Sequence, residues 1–278
     1  MGAFFIQRVC FFHYAKDSSR FPRVKYPCKI TYNSFALLDN LQKLVYTIRT
    51  MENGFFVKHI AYITTDFKEK FGIPRQSGRA PSLTARIVFT PEFRNSEALR
   101  ELEGFSHLWL LFDFSLAHKK EWSPTVRPPR LGGNKRVGVF ASRSPFRPNP
   151  IGLSCVKLLR IEESKEEGSV LIVSGADLLD GTPILDVKPY LPYADSIPEA
   201  TSGYAGAHQF DHLSVQFPPE LLEKIPAEKR EGLLACLADD PRPSYQEDSR
   251  TYGMRFAEFE IKFKVLDSTL VVESVNFA

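Results

Sequence analysis

The chain has 278 residues, 43% hydrophobic, 25% charged and 13% aromatic, with a formal net charge of +3 and a pI near 8.6. This composition excludes a disordered or fibrous chain, supplies apolar residues for one large or two modest domains, and permits an anionic partner without demanding one. The four cysteines, Cys10, Cys28, Cys155 and Cys236, are scattered and include no C-x-x-C pair. Neither a structural zinc site nor a disulfide framework is therefore expected. The same cysteine pattern makes a reducing cytoplasm the expected location, and with no apolar run near the roughly 18 residues of a membrane helix, no membrane partner is expected.

Residues 1–55 read as an N-terminal extension. The first fifty carry eight Lys or Arg residues against Asp17 and Asp39 alone, and no periodic element precedes Phe35–Ile48. A basic, acid-poor start resembles a transit peptide. The second methionine, Met51, lies shortly before V-K-H-I-A-Y-I, the first strand-like run. An ordering-poor extension and an over-early start codon compete, and the chemistry is expected elsewhere.

From Val57 the pattern turns β-rich. Lys58–Thr64, Thr84–Phe89, His107–Phe114, Val137–Ala141, Cys155–Ile161 and Ser169–Ser174 are short alternating or apolar runs that predict strands. A helix is predicted over Ser96–Leu102, with Asn95 as its cap and Gly104 past its end. Many short strands and few helices predict a closed or nearly closed β-barrel over residues 56–207. From 208 to 278 a small α+β domain is expected: an amphipathic helix over Pro219–Leu237, then Arg255–Val265 and Thr269–Val275 as a hairpin about Leu266-Asp-Ser. The fold class is thus mainly β with an α+β C-terminal domain.

Familiar catalytic signatures are missing. The glycines of L-G-G-N-K-R-V-G (131–138) enter a strand instead of leaving one, which argues against a Rossmann cofactor site. No P-loop, H-E-x-x-H or G-x-S-x-G is present, and His208 and His212, four apart, read as surface histidines, so no metal is expected. What stands out is V-F-A-S-R-S-P-F-R-P-N-P-I-G-L-S (139–154). Three prolines fix their own φ and restrict the residues before them, so the loop would hold Arg143, Arg147 and Asn149 in set directions. Arg127-Pro-Pro-Arg130 is a second stiffened arginine pair. Asp-Gly-Thr-Pro (180–183) is a turn signal, after which Asp186 and Lys188 follow at strand spacing and either pair or meet a ligand.

Six segments carry a family resemblance: K-E-K-F-G-I-P-R-Q (68–76), L-E-G-F-S-H-L-W-L-L-F (102–112), W-S-P-T-V-R-P-P-R-L-G-G-N (122–134), the 137–154 loop, D-L-L-D-G-T-P-I-L-D-V-K-P-Y-L-P-Y-A-D-S (177–196) and D-P-R-P-S-Y (240–245). From about Phe56 onward the chain resembles the TsaA/TrmO family of tRNA adenosine methyltransferases. The resemblance implies a β-barrel that binds S-adenosylmethionine, a small C-terminal domain that helps engage tRNA, and a homodimer. The implied reaction methylates N6 of N6-threonylcarbamoyladenosine beside the anticodon.

It also implies cofactor contacts at Pro74, Arg75, Gln76, His107, Leu108, Arg143, Leu153, Asp180, Gly181, Thr182 and Pro183. Substrate contacts are expected at Arg127, Arg130, Arg147, Asn149, Lys188 and Arg242, with Arg147 suited to the threonyl carboxylate. Asp186 and His107 are candidate general bases, beside the alternative of positioning with proton loss to water. A non-catalytic tRNA- or cofactor-binding module and a methyltransferase for a small metabolite are the competing functional readings.

Overall fold

Alternation dictates the first sheet. In the computed structural model, which describes residues 56–128, 135–206, 212–242 and 250–278, β1 (Ala61–Thr64), β2 (Thr84–Phe89) and β3 (His107–Asp113) each bury every second residue. With β6 (Ile151–Ser164), β7 (Gly168–Ser174) and β8 (Pro183–Pro189) they close into a six-stranded antiparallel barrel, ordered β1-β2-β7-β6-β3-β8. The ring is completed by Ala61↔Ile184 between β1 and β8. Ile63, Ile87, Leu108, Leu110, Leu171 and Ile184 fill its interior with no exposed surface. A barrel this narrow is packed solid by side chains, so any ligand must sit on its outside or its rim.

Strand direction then sorts the loops. The connections 65–83, 114–150 and 175–182 all leave one end of the barrel, because they follow β1, β3 and β7, which run the same way. Within the second connection, β4 (Thr125–Val126) and β5 (Val137–Gly138) form a two-stranded ribbon. After β8 comes a helical turn, α1 (Pro192–Asp195). The C-terminal sheet has the order β10-β11-β12-β9, built from β9 (Ser214–Gln216), β10 (Tyr252–Phe256), β11 (Phe259–Leu266) and β12 (Thr269–Phe277). Helices α2 (Pro219–Leu222) and α3 (Ala227–Ala238) follow β9, and α3 contributes Leu233, Cys236 and Leu237 to this sheet's core.

Several expectations need correction. Val137–Ala141 is a strand for two residues only and then a 3-10 turn, Val139–Ala141. Ser96–Leu102 is not an α-helix; a 3-10 turn spans Ser96–Leu99, with the Asn95 side chain accepting from Glu97 N–H at 3.0 Å. Pro219–Leu237 is broken, because Pro226 has no N–H to donate and caps α3 instead of continuing α2. Arg255–Val265 turns back on itself at Ala257, φ +50°, where Phe256 pairs with Phe259. The Leu266–Thr269 hairpin forms as expected, with Asp267 at φ +53°. The 1–55 extension, including Phe35–Ile48, lies wholly outside the described residues, as do Arg130, His208 and residues 243–245.

Candidate functional site

Two of the three loops at that barrel end meet the C-terminal domain around a cleft of about 1880 Å³. From the 65–83 loop come Pro74, Arg75 and Gln76, and from the 114–150 loop Arg127, Arg143 and Arg147; Arg242 enters from the C-terminal side. Seven of the anticipated residues therefore share one cavity. Gln76 Oε1 accepts from Arg143 Nη1 at 2.7 Å, which ties the first loop to the second. Arg147 Nη1 donates to the Ser142 carbonyl at 3.1 Å, curling the proline-rich loop back on itself. Arg75 Nη2 donates to the carbonyls of Asp240 at 2.6 Å and Arg242 at 2.5 Å. Arg242 in turn forks onto Asp240, with Nε to Oδ1 and Nη2 to Oδ2 both at 2.9 Å.

Beside this cleft the barrel wall is open. Pairing of β6 with β7 begins at Lys157↔Ser174, so the start of β6 has no strand on that side among the described residues. Cys155 N–H donates there to Ser77 Oγ at 3.3 Å. Since successive residues of an antiparallel strand point their backbone groups to alternate sides, Leu153 N–H and C=O face the same open edge. The Leu153 side chain is itself half exposed. Behind the edge, Ser154 donates to the Asp177 carboxylate. Burial pushes the Asp177 carboxyl above the usual carboxylate range, against the lowering effects of the Ser154 hydrogen bond, backbone donors at Asp177 and Ser77, and the Arg143 charge.

The other anticipated residues stand elsewhere. The Leu108 side chain is wholly inside the barrel. Asp180 is engaged by Thr65 N–H at 2.9 Å and Lys68 Nζ at 2.8 Å, Gly181 N–H by the Ile63 carbonyl at 2.9 Å, and Thr182 Oγ1 by the Leu179 carbonyl at 2.7 Å. That segment, up to Pro183 at the start of β8, is a hydrogen-bonded turn. Asp186 accepts from Val187 N–H and forms an ion pair of 2.8 Å with Lys188. His107 starts β3 at the barrel end opposite the cleft, its Nδ1 2.9 Å from Ser106 Oγ and its ring beside Tyr190. The length of β3, roughly 20 Å for six residue steps, separates that end from the rim. Asn149 is exposed and gives its carbonyl to Ile151 N–H at 2.7 Å.

Sequence reasoning passed over Trp122, Phe140, Phe146, Lys119, Lys120 and Arg136, all of which line the cleft. Aromatic residues beside prolines and cations in polar loops were the available signal.

Comparison with known proteins shows which family the chain resembles. The family model "tRNA-methyltransferase O N-terminal domain" matches residues 62–196, and "TrmO C-terminal domain" matches 211–278. An Escherichia coli tRNA (adenine(37)-N6)-methyltransferase is 42% identical over 226 residues, 78% of this chain and 95% of that protein. A Pseudomonas aeruginosa protein, named provisionally as an S-adenosylmethionine-dependent methyltransferase, is 43% identical over 74% of this chain and 90% of its own length. The crystal structure of TrmO from Pseudomonas aeruginosa superposes with a TM-score of 0.65 at 35% identity, covering 80% of this chain and 98% of that one. Agreement across both family models and nearly the full length of these relatives shows that the chain belongs to the tRNA-methyltransferase O family.

Proposed function

We propose that this protein is an S-adenosylmethionine-dependent tRNA methyltransferase. Its acceptor is N6 of N6-threonylcarbamoyladenosine next to the anticodon on its 3′ side, and its product is N6-methyl-N6-threonylcarbamoyladenosine. The observation that carries the reading is the cleft itself. Braced arginines line it and the open edge of β6 lies next to its Gln76 wall through Ser77, in a chain that spans nearly the whole of its tRNA-methylating relative.

The donor set suits the cofactor. Leu153 offers a paired backbone donor and acceptor for an adenine edge, and Arg143, already oriented by Gln76, suits a carboxylate. S-adenosylmethionine supplies an already activated methyl group, so the protein has to bind, orient and exclude water. Pro74, Arg75, Gln76 and Arg143 would form one wall. The turn at Asp180, Gly181, Thr182 and Pro183 supports β1 and β8 behind it.

For the acceptor, Arg147 has donors beyond the one given to Ser142, and a planar guanidinium fits the threonyl carboxylate. Arg127 and Arg242 would meet phosphate. Proton removal from the amide-like nitrogen we assign to water in an oriented complex. Asp186 is engaged by Lys188 and His107 lies at the other end of the barrel, so positioning carries the rate. The assembly we propose is a cytoplasmic homodimer, its contact drawing on the exposed Tyr193 and Ile197 after β8. The barrel, residues 56–207, would be the catalytic domain and 208–278 the tRNA-engaging one. Transfer of labelled methyl from S-adenosylmethionine into bulk tRNA tests the reading; labelled cofactor bound but never transferred would leave a binding module in its place.

A further inference from the structure

The cleft has a second chemistry besides its braced arginines. Trp122, Phe140 and Phe146 are 52%, 73% and 42% exposed. Single exposed apolar residues are ordinary, but three exposed aromatic rings lining one cleft are not. The Trp122 and Phe140 rings stand 6.0 Å apart at 33°. Lys119 Nζ lies 4.1 Å over the Phe146 ring.

These rings are exposed yet firmly mounted. His118 Nε2 meets Asp113 Oδ1 at 2.6 Å just before Lys119. The β4–β5 ribbon pairs Thr125 with Gly138, Val139 N–H donates to the Pro124 carbonyl at 2.9 Å, and Arg136 Nε donates to Thr125 Oγ1 at 2.7 Å. Trp122, just before β4, and Phe140, just after β5, therefore stand beyond the same end of one braced ribbon. A rigid aromatic surface loses little entropy when something stacks on it.

The charge around the rings identifies what stacks. Among the described residues, the 114–150 loop contributes Lys119, Lys120, Arg127 and Arg136 to the cleft besides Arg143 and Arg147, against one acid, Glu121. Aromatic faces interleaved with cations are the recognition chemistry of unpaired nucleic acid, in which bases stack and phosphates meet Lys and Arg. A protein partner's apolar core would be poorly served by four neighbouring cations.

We infer that Trp122, Phe140 and Phe146 form a stacking platform for an unpaired nucleobase next to the target adenosine, with Lys119, Lys120 and Arg136 on its phosphates. This rests on the tRNA reading above and adds how the anticodon loop is gripped. The platform takes a base of any identity, since every base has a π-face, so it contributes grip and register and not sequence choice.

The test uses the full chain with an anticodon stem-loop RNA carrying threonylcarbamoyladenosine, and a second RNA abasic at the nucleotide beside it. Trp122→Ala is expected to weaken RNA binding about tenfold or more, the scale of one lost base–aromatic stack, with S-adenosylmethionine affinity unchanged. Trp122→Phe should restore most of the loss. The abasic RNA should bind the unsubstituted protein about as weakly as intact RNA binds Trp122→Ala, with little further loss when the two are combined. Because the chain has two tryptophans, Trp109→Phe leaves Trp122 as a single reporter whose fluorescence should quench on RNA binding. Unchanged RNA affinity in Trp122→Ala, while the unsubstituted enzyme methylates tRNA, would overturn the platform alone. A variant that sediments at half the mass of the parent would overturn it in favour of an interface between copies. Failure of the unsubstituted protein to bind or methylate tRNA would overturn the functional reading beneath it.

Discussion

Arg147 and Asp177 illustrate how differently individual residues report themselves. Arg147 is legible from sequence, since prolines at 145, 148 and 150 restrict its loop, and it does line the cleft. Its proposed role makes a specific demand: Arg147→Ala should lower kcat/KM on threonylcarbamoyladenosine-containing tRNA by roughly 100-fold, the loss of one charge-assisted bidentate pair. Cofactor affinity, measured by calorimetry, should be unchanged. Full activity in this variant would remove Arg147 from the carboxylate.

Asp177 was invisible in the sequence, because nothing in D-L-L-D marks which acid burial perturbs. Both acids are partly buried, and it is Asp177 whose pKa is raised, chiefly by burial. A carboxyl raised on folding favours the protonated form, so its contribution to stability is present below the unfolded carboxylate range. It is lost as pH rises through the raised value. Asp177→Asn removes that ionisation while keeping an acceptor for Ser154. The variant's Tm should therefore fall less than that of the unsubstituted protein between pH 4 and 7; parallel curves would show that Asp177 is not the group involved.

At the scale of elements, short strands were readable where alternation was unbroken. Thr84–Phe89 occupies the expected residues because it buries every second side chain in a filled barrel. Boundaries failed where one residue overrode a pattern: Pro226 divides α2 from α3 within a run of suitably spaced leucines, and Ala257 reverses a strand at positive φ. β6 extends well beyond Cys155–Ile161 at both ends, and its early part is the open edge on which the proposed site depends. Pairing partners decide such edges, and they are far away in sequence.

Gly72, two residues before Pro74, shows what holds that loop. It sits at φ +91°, and a Cβ there would come 2.2 Å from Met254 Sδ in β10. Gly72→Ala combines backbone strain with overpacking and should cost about 2–4 kcal/mol in denaturant unfolding. A loss under about 1 kcal/mol would mean Met254 yields freely, and that the loop is not held from that side.

At the scale of the whole molecule, the barrel and the C-terminal sheet are not separable pieces. Phe67, Ala80 and Leu83 belong to the first barrel loop, yet they are buried with Leu233, Phe256 and Phe263 in the C-terminal core. Polar ties reinforce the join: Lys229 to Asp66 at 2.5 Å, Ala257 N–H to the Asp66 carbonyl at 2.7 Å, and Arg79 to Asp239 at 2.5 Å. The loop that carries Pro74, Arg75 and Gln76 is thereby fixed by the domain proposed to engage tRNA. A sequence divided at residue 208 does not reveal this, because the apolar residues of 65–83 read as loop filler until their partners are seen.

Asp239 is the critical member of that join. It is 5% exposed, Oδ1 takes Arg79, and Oδ2 is buried without a partner among the described residues. Arg79→Ala would strand the carboxylate, at a cost of about 2–4 kcal/mol since Arg79 itself is one-third exposed. The join would loosen, and cofactor affinity should fall with it. A variant with the parent's Tm and cofactor affinity would contradict the coupling.

The central claim is that the chain moves a methyl group to threonylcarbamoyladenosine in tRNA. The direct measurement supplies purified protein with isotopically labelled S-adenosylmethionine and two tRNA pools, one carrying that nucleoside and one lacking it, then separates digested nucleosides by mass. Label on N6-methyl-N6-threonylcarbamoyladenosine, arising from the first pool alone, is the predicted result. Label on another nucleoside, equal labelling of both pools, or labelling of neither would contradict it.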